Sequence, residues 1–138
     1  MMAAMQQETG LAGKANPAGA VLLEESTFRE CGTGPVLTLG EHQGRALLLM
    51  LHITRVIDQQ SLALSVWGST DGMTWGSEPL LSLPRKSYCG SYGILLDLPV
   101  YPDVKYLRAK WNVTRWALDD RKPLFTANIS IREPKRCD

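Results

Sequence analysis

Hydrophobic and polar residues alternate along much of this chain with a period of two. In the clearest case, residues 61–67, leucine and valine lie at the even positions, while the odd positions before Trp67 hold serine and alanine. This alternation is typical of a half-buried β-strand, because successive side chains point to opposite faces of a sheet. Such runs predict eight short strands, over residues 21–28, 36–39, 45–57, 61–67, 80–83, 94–98, 104–113 and 124–131.

The segments between these runs favour an all-β fold. Glycine and proline clusters, such as residues 30–35 and 99–103, separate the strands, and no long window has the 3.6-residue period of a helix. Short strands at regular spacing predict an antiparallel two-sheet β-sandwich, for which we favour a jelly-roll-like topology. The first half of residues 45–57 is apolar at odd and even positions alike, which predicts a central strand covered on both faces.

The chain divides into an arm and one domain. Its 138 residues suffice for a single core. Residues 1–20, rich in Ala, Gly, Gln and Met, predict a flexible N-terminal arm, and residues 21–138 predict a single β-sandwich domain. No secretory signal is recognisable, and no stretch approaches the ~20 apolar residues of a membrane span. We therefore expect a cytoplasmic protein with no membrane partner.

Charge is uneven along the chain although the formal net charge is +1. Residues 1–103 carry 6 basic and 10 acidic side chains, a balance of −4, whereas residues 104–138 carry 9 basic and 4 acidic, a balance of +5. Such asymmetry permits head-to-tail association or simply marks a solvated face with a basic tail. Arg108, Lys110 and Arg115 predict a basic face, but the near-neutral total predicts no nucleic-acid partner.

No pattern predicts catalysis, a cofactor or a metal. We expect His42, in a turn, to be solvated and His52, in an apolar strand, to be a hydrogen-bonded sheet residue, so the two make no zinc site. Cys31, Cys89 and Cys137 show neither a disulfide framework nor a CxxC pair. The sequence contains no phosphate-loop, dinucleotide or nucleophile-elbow motif. We predict that the protein is not an enzyme; a hydrolase using Cys89 or carboxylates is the least favoured alternative.

The stretch SVWGSTDGMTW predicts a tight turn at Asp71-Gly72. Aspartate tolerates a left-handed backbone and glycine adopts one without steric cost, so the pair suits a hairpin. We expect the returning strand to begin near Trp75, whose side chain then covers the apolar face of the hairpin. Trp67 and Trp111 lie within predicted strands, and we expect both in the core.

Four stretches carry a resemblance to known proteins. VWGSTDGMTW resembles the Ser-x-Asp-Gly-x-x-Trp turn of discoidin-type β-sandwiches, and VKYLRAKW is similar to a later strand of those domains. Together with GRALLLMLHIT and LFTANISI, the layout of residues 44–131 also resembles small phage structural proteins of β-sandwich type. The resemblance implies a sandwich fold, a non-enzymatic role and, for a phage-like protein, a place in a virion or particle. It implies no binding residues.

Aromatic residues in the connections are the remaining candidates for a site. Such rings close one end of a sandwich core, anchor a protein interface or stack on sugar rings. The leading hypothesis is a structural or assembly subunit that contacts copies of itself or a larger protein shell. The alternative is a carbohydrate-binding module. The candidate binding residues, for an interface or a glycan platform, are Trp75, Trp116, Tyr88, Tyr92 and Tyr101.

Overall fold

Two antiparallel sheets packed face to face make up the fold, as the sequence predicted. The computed structural model describes residues 19–134. Short 3₁₀ turns at Gly40–His42 and Leu98–Val100 are the only helical elements in that range. The strands, in chain order, are β1 (Gly19–Phe28), β2 (Gly32–Thr33), β3 (Leu37–Thr38), β4 (Ala46–Val56), β5 (Gln60–Ser69), β6 (Leu81–Ser82), β7 (Gly90–Asp97), β8 (Tyr106–Arg115) and β9 (Phe125–Arg132).

The strand order is that of a jelly roll. Sheet 1 has the order β1-β9-β4-β7, and sheet 2 has the order β2-β8-β5-β6, with β3 also paired to β8. β2 and β3 follow one another along β8, so they act as two halves of one interrupted strand. Consecutive strands therefore pass repeatedly from one sheet to the other, which is the wrapping of a jelly roll.

The core lies between the sheets and follows the alternation in the sequence. From sheet 1, β4 and β9 supply fully buried side chains such as Leu49 and Ile129. From sheet 2, β5 and β8 supply Leu64 and Leu107, which are also fully buried. These inner faces form one continuous apolar cluster, as expected when two amphipathic sheets cover each other.

The outer face of β4 departs from the prediction. The strand is central, between β9 and β7, and its inward residues are fully buried. Leu48 and Met50, on the opposite face, are only half-buried, because sheet 2 covers one side of sheet 1 and no other element of residues 19–134 covers the second. The expectation of cover on both faces is therefore wrong for the part of the chain that the structure describes.

Most of the predicted arm lies outside the described residues, as does Cys137. Gly19 and Ala20, which the sequence assigned to the arm, begin β1 and pair with β9. The sandwich therefore starts two residues earlier than predicted. Its last described strand, β9, ends at Arg132, one residue beyond the predicted end.

Candidate functional site

The Asp71-Gly72 turn is held by its own hydrogen bonds. The backbone N–H groups of Thr74 and Met73 each donate to Asp71 Oδ1 at 2.8 Å, and Ser69 Oγ donates to the same oxygen at 2.9 Å. These bonds to the ionised carboxylate lower the pKa of Asp71 from its ordinary 3.8 to about 2. Gly72 has φ +80°, a left-handed conformation that glycine adopts without strain. The turn is complete without a ligand.

No strand begins near Trp75, where the chain was expected to return, whereas β6 lies within the strand predicted over residues 80–83. The next strand, β6, starts at Leu81 and pairs with β5 opposite Val66, so residues 70–80 form a loop instead of a two-residue hairpin. Trp75 lies in this loop, and the guanidinium carbon of Arg108 sits 4.3 Å from the centre of its ring. The prediction of a strand beginning near Trp75 was therefore wrong. The hydrogen bonds from Met73 and Thr74 to Asp71 hold the residues after the turn in a loop.

The outer face of sheet 2 combines tryptophans with cations. Trp67 lies on it directly opposite Arg108, and Lys110 Nζ lies 5.2 Å from the centre of the Trp67 ring. Trp67 is half-buried outside the core, because it shares its parity with the outward-facing Ser65, to which its Nε1 donates at 2.9 Å. The tryptophan rings on this face are thus already paired with cations.

Arg115 does not share that face. Its side chain is only 3% exposed and forms the hub of an ion network. It donates to both carboxylate oxygens of Asp119, to Asp58 Oδ1 at 3.1 Å and to the carbonyl oxygens of Asp58 and Arg121. The bond with Asp119 raises the pKa of the Arg115 guanidinium, and the same bond holds the pKa of Asp119 well below its usual range. Arg115 therefore joins the β4–β5 connection, through Asp58, to the β8–β9 connection, through Asp119. Its charge is not part of the exposed basic face.

This network borders a cleft of about 500 Å³ at one end of the sandwich. Residues 56–60, at the β4–β5 connection, form one side; Ser87 and Tyr88 form another, and Trp116 a third. Tyr88 is 76% exposed and Trp116 is 57% exposed. The structure thus brings together two of the five aromatic candidates, from segments 28 residues apart in the chain.

The other aromatic candidates lie elsewhere. Tyr92, on β7, packs against the core, and its hydroxyl donates to the Tyr88 carbonyl oxygen at 3.2 Å. Lys86 Nζ covers the ring of Tyr92 at 4.2 Å. Tyr101 follows the second 3₁₀ turn and is 40% exposed. Tyr92 therefore supports the cleft, whereas Trp75 and Tyr101 do not line it.

A second feature, which the sequence reasoning missed, is the free edge of sheet 1. β7 ends the sheet and pairs only with β4 among the described strands. Next to this edge, Leu95 of β7 is 53% exposed and lies directly opposite Leu48 of β4, while Met50 lies opposite Gly93. We call Leu48, Met50 and Leu95 the outer patch. The apolar residues at both parities of residues 45–57 were its signal in the sequence.

The histidines and the other possible metal ligands of the described residues do not gather into one site. Within residues 19–134, no three His, Cys, Asp or Glu side chains lie close enough to hold a metal ion. His42, expected in solvent, is 8% exposed, and its Nδ1 lies 3.1 Å from a carboxylate oxygen of Glu133. His52 forms a 2.7 Å hydrogen bond with Ser91 across β4 and β7, as expected of a sheet residue. No helix in the described range is long and apolar enough to span a membrane.

Comparisons with known proteins do not place the chain in a family. A scan against protein-family models finds no match, and a search of curated proteins finds none either. Its class therefore follows from its fold, an all-β sandwich with jelly-roll strand order. That fold serves shell proteins, lectins and enzymes alike, so function has to be argued from particular surfaces. The resemblance to discoidin-type and phage structural proteins stays a prediction.

Proposed function

We propose that this protein is a non-enzymatic assembly subunit that pairs with a second copy of itself through β7 and the outer patch. The observation that carries the proposal is the unprotected edge of sheet 1. An edge strand presents a row of unpaired N–H and C=O groups that readily pair with another chain, so soluble proteins usually blunt such edges.

The other edges of the sandwich are blunted. Sheet 2 ends in β6 on one side and in β2 and β3 on the other, and each of these strands has two residues. β1, the opposite edge of sheet 1, carries two register shifts and the exposed carboxylates of Glu24 and Glu25. Short strands, bulges and charges all oppose edge-to-edge pairing.

β7 has none of these protections. It is eight residues long, contains no proline and no register shift against β4, and carries its one charge at its last residue, Asp97. Its sequence, GSYGILLD, combines β-branched, aromatic and leucine residues with low charge. Such an edge is suited to pairing, and pairing with an identical β7 satisfies the backbone groups of both copies.

The outer patch extends the same contact. Two β7 strands that pair antiparallel across a two-fold axis place both copies of Leu95 on one face of a continuous sheet. Leu48 and Met50 lie in the next strand of each copy. The patch then supplies an apolar surface beside the backbone pairing, and a second copy is a partner whose edge already has the matching length and register.

Solution mass measured by light scattering over about 10 to 500 μM tests the proposal. We expect the full chain to form a dimer, and Leu95→Lys to raise its dissociation constant at least about ten-fold, since each dimer then places two lysines beside the shared edge. Leu118→Lys is the matched control, because Leu118 is a fully exposed leucine in the loop after β8. It should leave the dimer unchanged.

Three results would overturn the proposal. A full chain that stays monomeric at every concentration excludes a second copy as partner. A dimer that Leu118→Lys and Leu95→Lys weaken equally does not use this edge. If removing residues 1–18 converts a monomer into a dimer, those residues are the occupant of the outer patch. Binding to a larger protein shell, including a phage particle, is a broader form of the same proposal and would use the same surface.

A further inference from the structure

The cleft beside Tyr88 and Trp116 is separate from the surface proposed for assembly. It lies at the loop end of the sandwich and shares no lining residue with β7 or the outer patch. Its walls come from three segments that are distant in sequence, so its shape depends on how those segments are fastened.

The β4–β5 wall is held from two sides. The backbone N–H of Trp116 donates to the Gln59 carbonyl oxygen at 2.9 Å, and Arg115 Nε donates to the Asp58 carbonyl oxygen at 3.2 Å. Gln59 has φ +55°, a left-handed conformation that costs a non-glycine residue energy and persists only when its surroundings fix it. These bonds therefore fix the turn and set Trp116 against it.

The Tyr88 wall is held independently. Lys86 exchanges two backbone hydrogen bonds with Leu62 of β5, at 2.8 and 2.9 Å, and so ties the loop to sheet 2 just before the wall. Tyr92 then supports the Tyr88 carbonyl from β7. A pocket whose walls are already in place binds a ligand without the entropy cost of ordering them.

The two aromatic rings at the cleft differ from those of Trp67, Trp75 and Tyr92. The rings of Trp67, Trp75 and Tyr92 each lie against a cation of the same chain. Among residues 19–134, no cation or second ring covers Tyr88 or Trp116. Their faces are thus open for an apolar or C–H-bearing surface to stack on.

The cleft presents one carboxylate acceptor, that of Asp58. Asp58 Oδ1 receives hydrogen bonds from Arg115 and Arg121, whereas Oδ2 receives none from the described residues. A carboxylate oxygen is a strong hydrogen-bond acceptor, so Oδ2 can receive a hydrogen bond from a ligand. The amide of Gln59 and the hydroxyl of Ser87 add groups that both donate and accept, and no cation lines the cleft.

We infer that the cleft binds a neutral oligosaccharide, with sugar rings stacked on Tyr88 and Trp116 and their hydroxyls donating to Asp58. A sugar ring offers C–H groups on one face and hydroxyl donors at its edge, which match open aromatic faces beside a carboxylate acceptor. The lining of the cleft includes the carboxylate of Asp58 and no cation, so it favours a neutral sugar over an anionic one. A proline-rich peptide stacks on aromatic rings too, but it brings few donors for Oδ2.

Titration of the full chain with cellohexaose, chitohexaose and mannohexaose tests the inference, with tryptophan fluorescence and calorimetry as readouts. At least one should bind, and Trp116→Ala and Tyr88→Ala should each weaken it about ten-fold or more. Trp116→Phe should restore part of the affinity, because a phenyl ring still stacks. Trp75→Ala removes a tryptophan that is not in the cleft, and it should leave binding unchanged.

The inference fails if none of the three saccharides binds at about 10 mM, a concentration that detects even millimolar affinity. It also fails if Trp75→Ala weakens binding as much as Trp116→Ala does. A polyproline peptide that binds with the same dependence on Tyr88 and Trp116, when the saccharides do not, would make the cleft a peptide groove. Leu95→Lys should not change saccharide binding, so the failure of assembly and the failure of this inference are distinguishable.

Discussion

Gln60 holds Leu124 through both ends of its side-chain amide. Its Nε2 donates to the Leu124 carbonyl oxygen at 2.6 Å, and its Oε1 accepts from the Leu124 N–H at 2.7 Å. Gln60 is 1% exposed, so both bonds lie in the interior. They join the start of β5, in sheet 2, to the residue that precedes β9, in sheet 1. A single polar side chain thus closes one end of the sandwich.

Gln60→Leu should therefore lower the free energy of unfolding by about 1–3 kcal/mol, because it leaves a buried donor and a buried acceptor without partners. Urea denaturation at neutral pH measures the change. Gln43→Leu is the matched control, since Gln43 makes one exposed bond to the Pro102 carbonyl oxygen. It should change stability by no more than about 0.5 kcal/mol. Equal losses in the two variants would show that the buried bonds to Leu124 contribute no more to the free energy of unfolding than the exposed bond of Gln43.

The Asp71 turn should make stability depend on pH in a defined window. The pKa of Asp71 is about 2 in the folded chain and near 3.8 ordinarily, so the folded state favours the ionised carboxylate. The stabilisation is complete above about pH 4 to 5 and is lost as the pH falls through about 2. The stability difference between the wild type and Asp71→Asn should therefore shrink as the pH falls through this range.

Chemical denaturation at several pH values measures that difference. Asp120→Asn, at an exposed position outside the turn, controls for the loss of one negative charge. A difference between the wild type and Asp71→Asn that stays constant from pH 6 to about 2 would contradict the assignment of Oδ1 as the acceptor for Met73 and Thr74.

Arg115 should not tolerate replacement by lysine. The planar guanidinium reaches Asp119, Asp58 and the carbonyl of Arg121 at once, whereas an ammonium is a compact charge that cannot reproduce this fork. Arg115→Lys should lower the melting temperature by a few degrees and speed amide exchange at Trp116, whose N–H bonds to the turn beside Asp58.

Arg121→Lys supplies the comparison for Arg115. Arg121 bonds to the same two carboxylates, but its side chain is 55% exposed, so water compensates for its loss. Its replacement should have a much smaller effect on both readouts. If the two lysine variants behave alike, burial of the Arg115 side chain does not matter to the network.

The fold was predictable because it depends on local alternation. The leucine and valine residues of β5 repeat every second position, and the same repeat places Leu107 and Ile129 in the core. Trp67 shows the limit of an argument from residue type: its parity matches Ser65, and it lies on the outer face despite its size. Here the period was a better guide than hydrophobicity.

The sites were predictable only in part, because they depend on contacts between distant segments. Tyr88 and Trp116 were recognised as connection aromatics, but nothing local indicated that they share a cleft. Arg115 was grouped with Arg108 by charge, whereas its partner Asp58 lies 57 residues earlier in the chain. The burial of His42 against Glu133 has the same cause, since the two residues are 91 positions apart.

The contrast between the edges of the two sheets also limits how many neighbours one copy can bind through a sheet edge. Within residues 19–134, β7 is the one long edge without a bulge, a proline or a central charge. A molecule with one such edge can satisfy one neighbour, and a pair formed through it has no equivalent edge left. Growth by this contact therefore terminates at two copies, and a fibre cannot propagate from it. Any larger particle built from such pairs would need a second, chemically different contact.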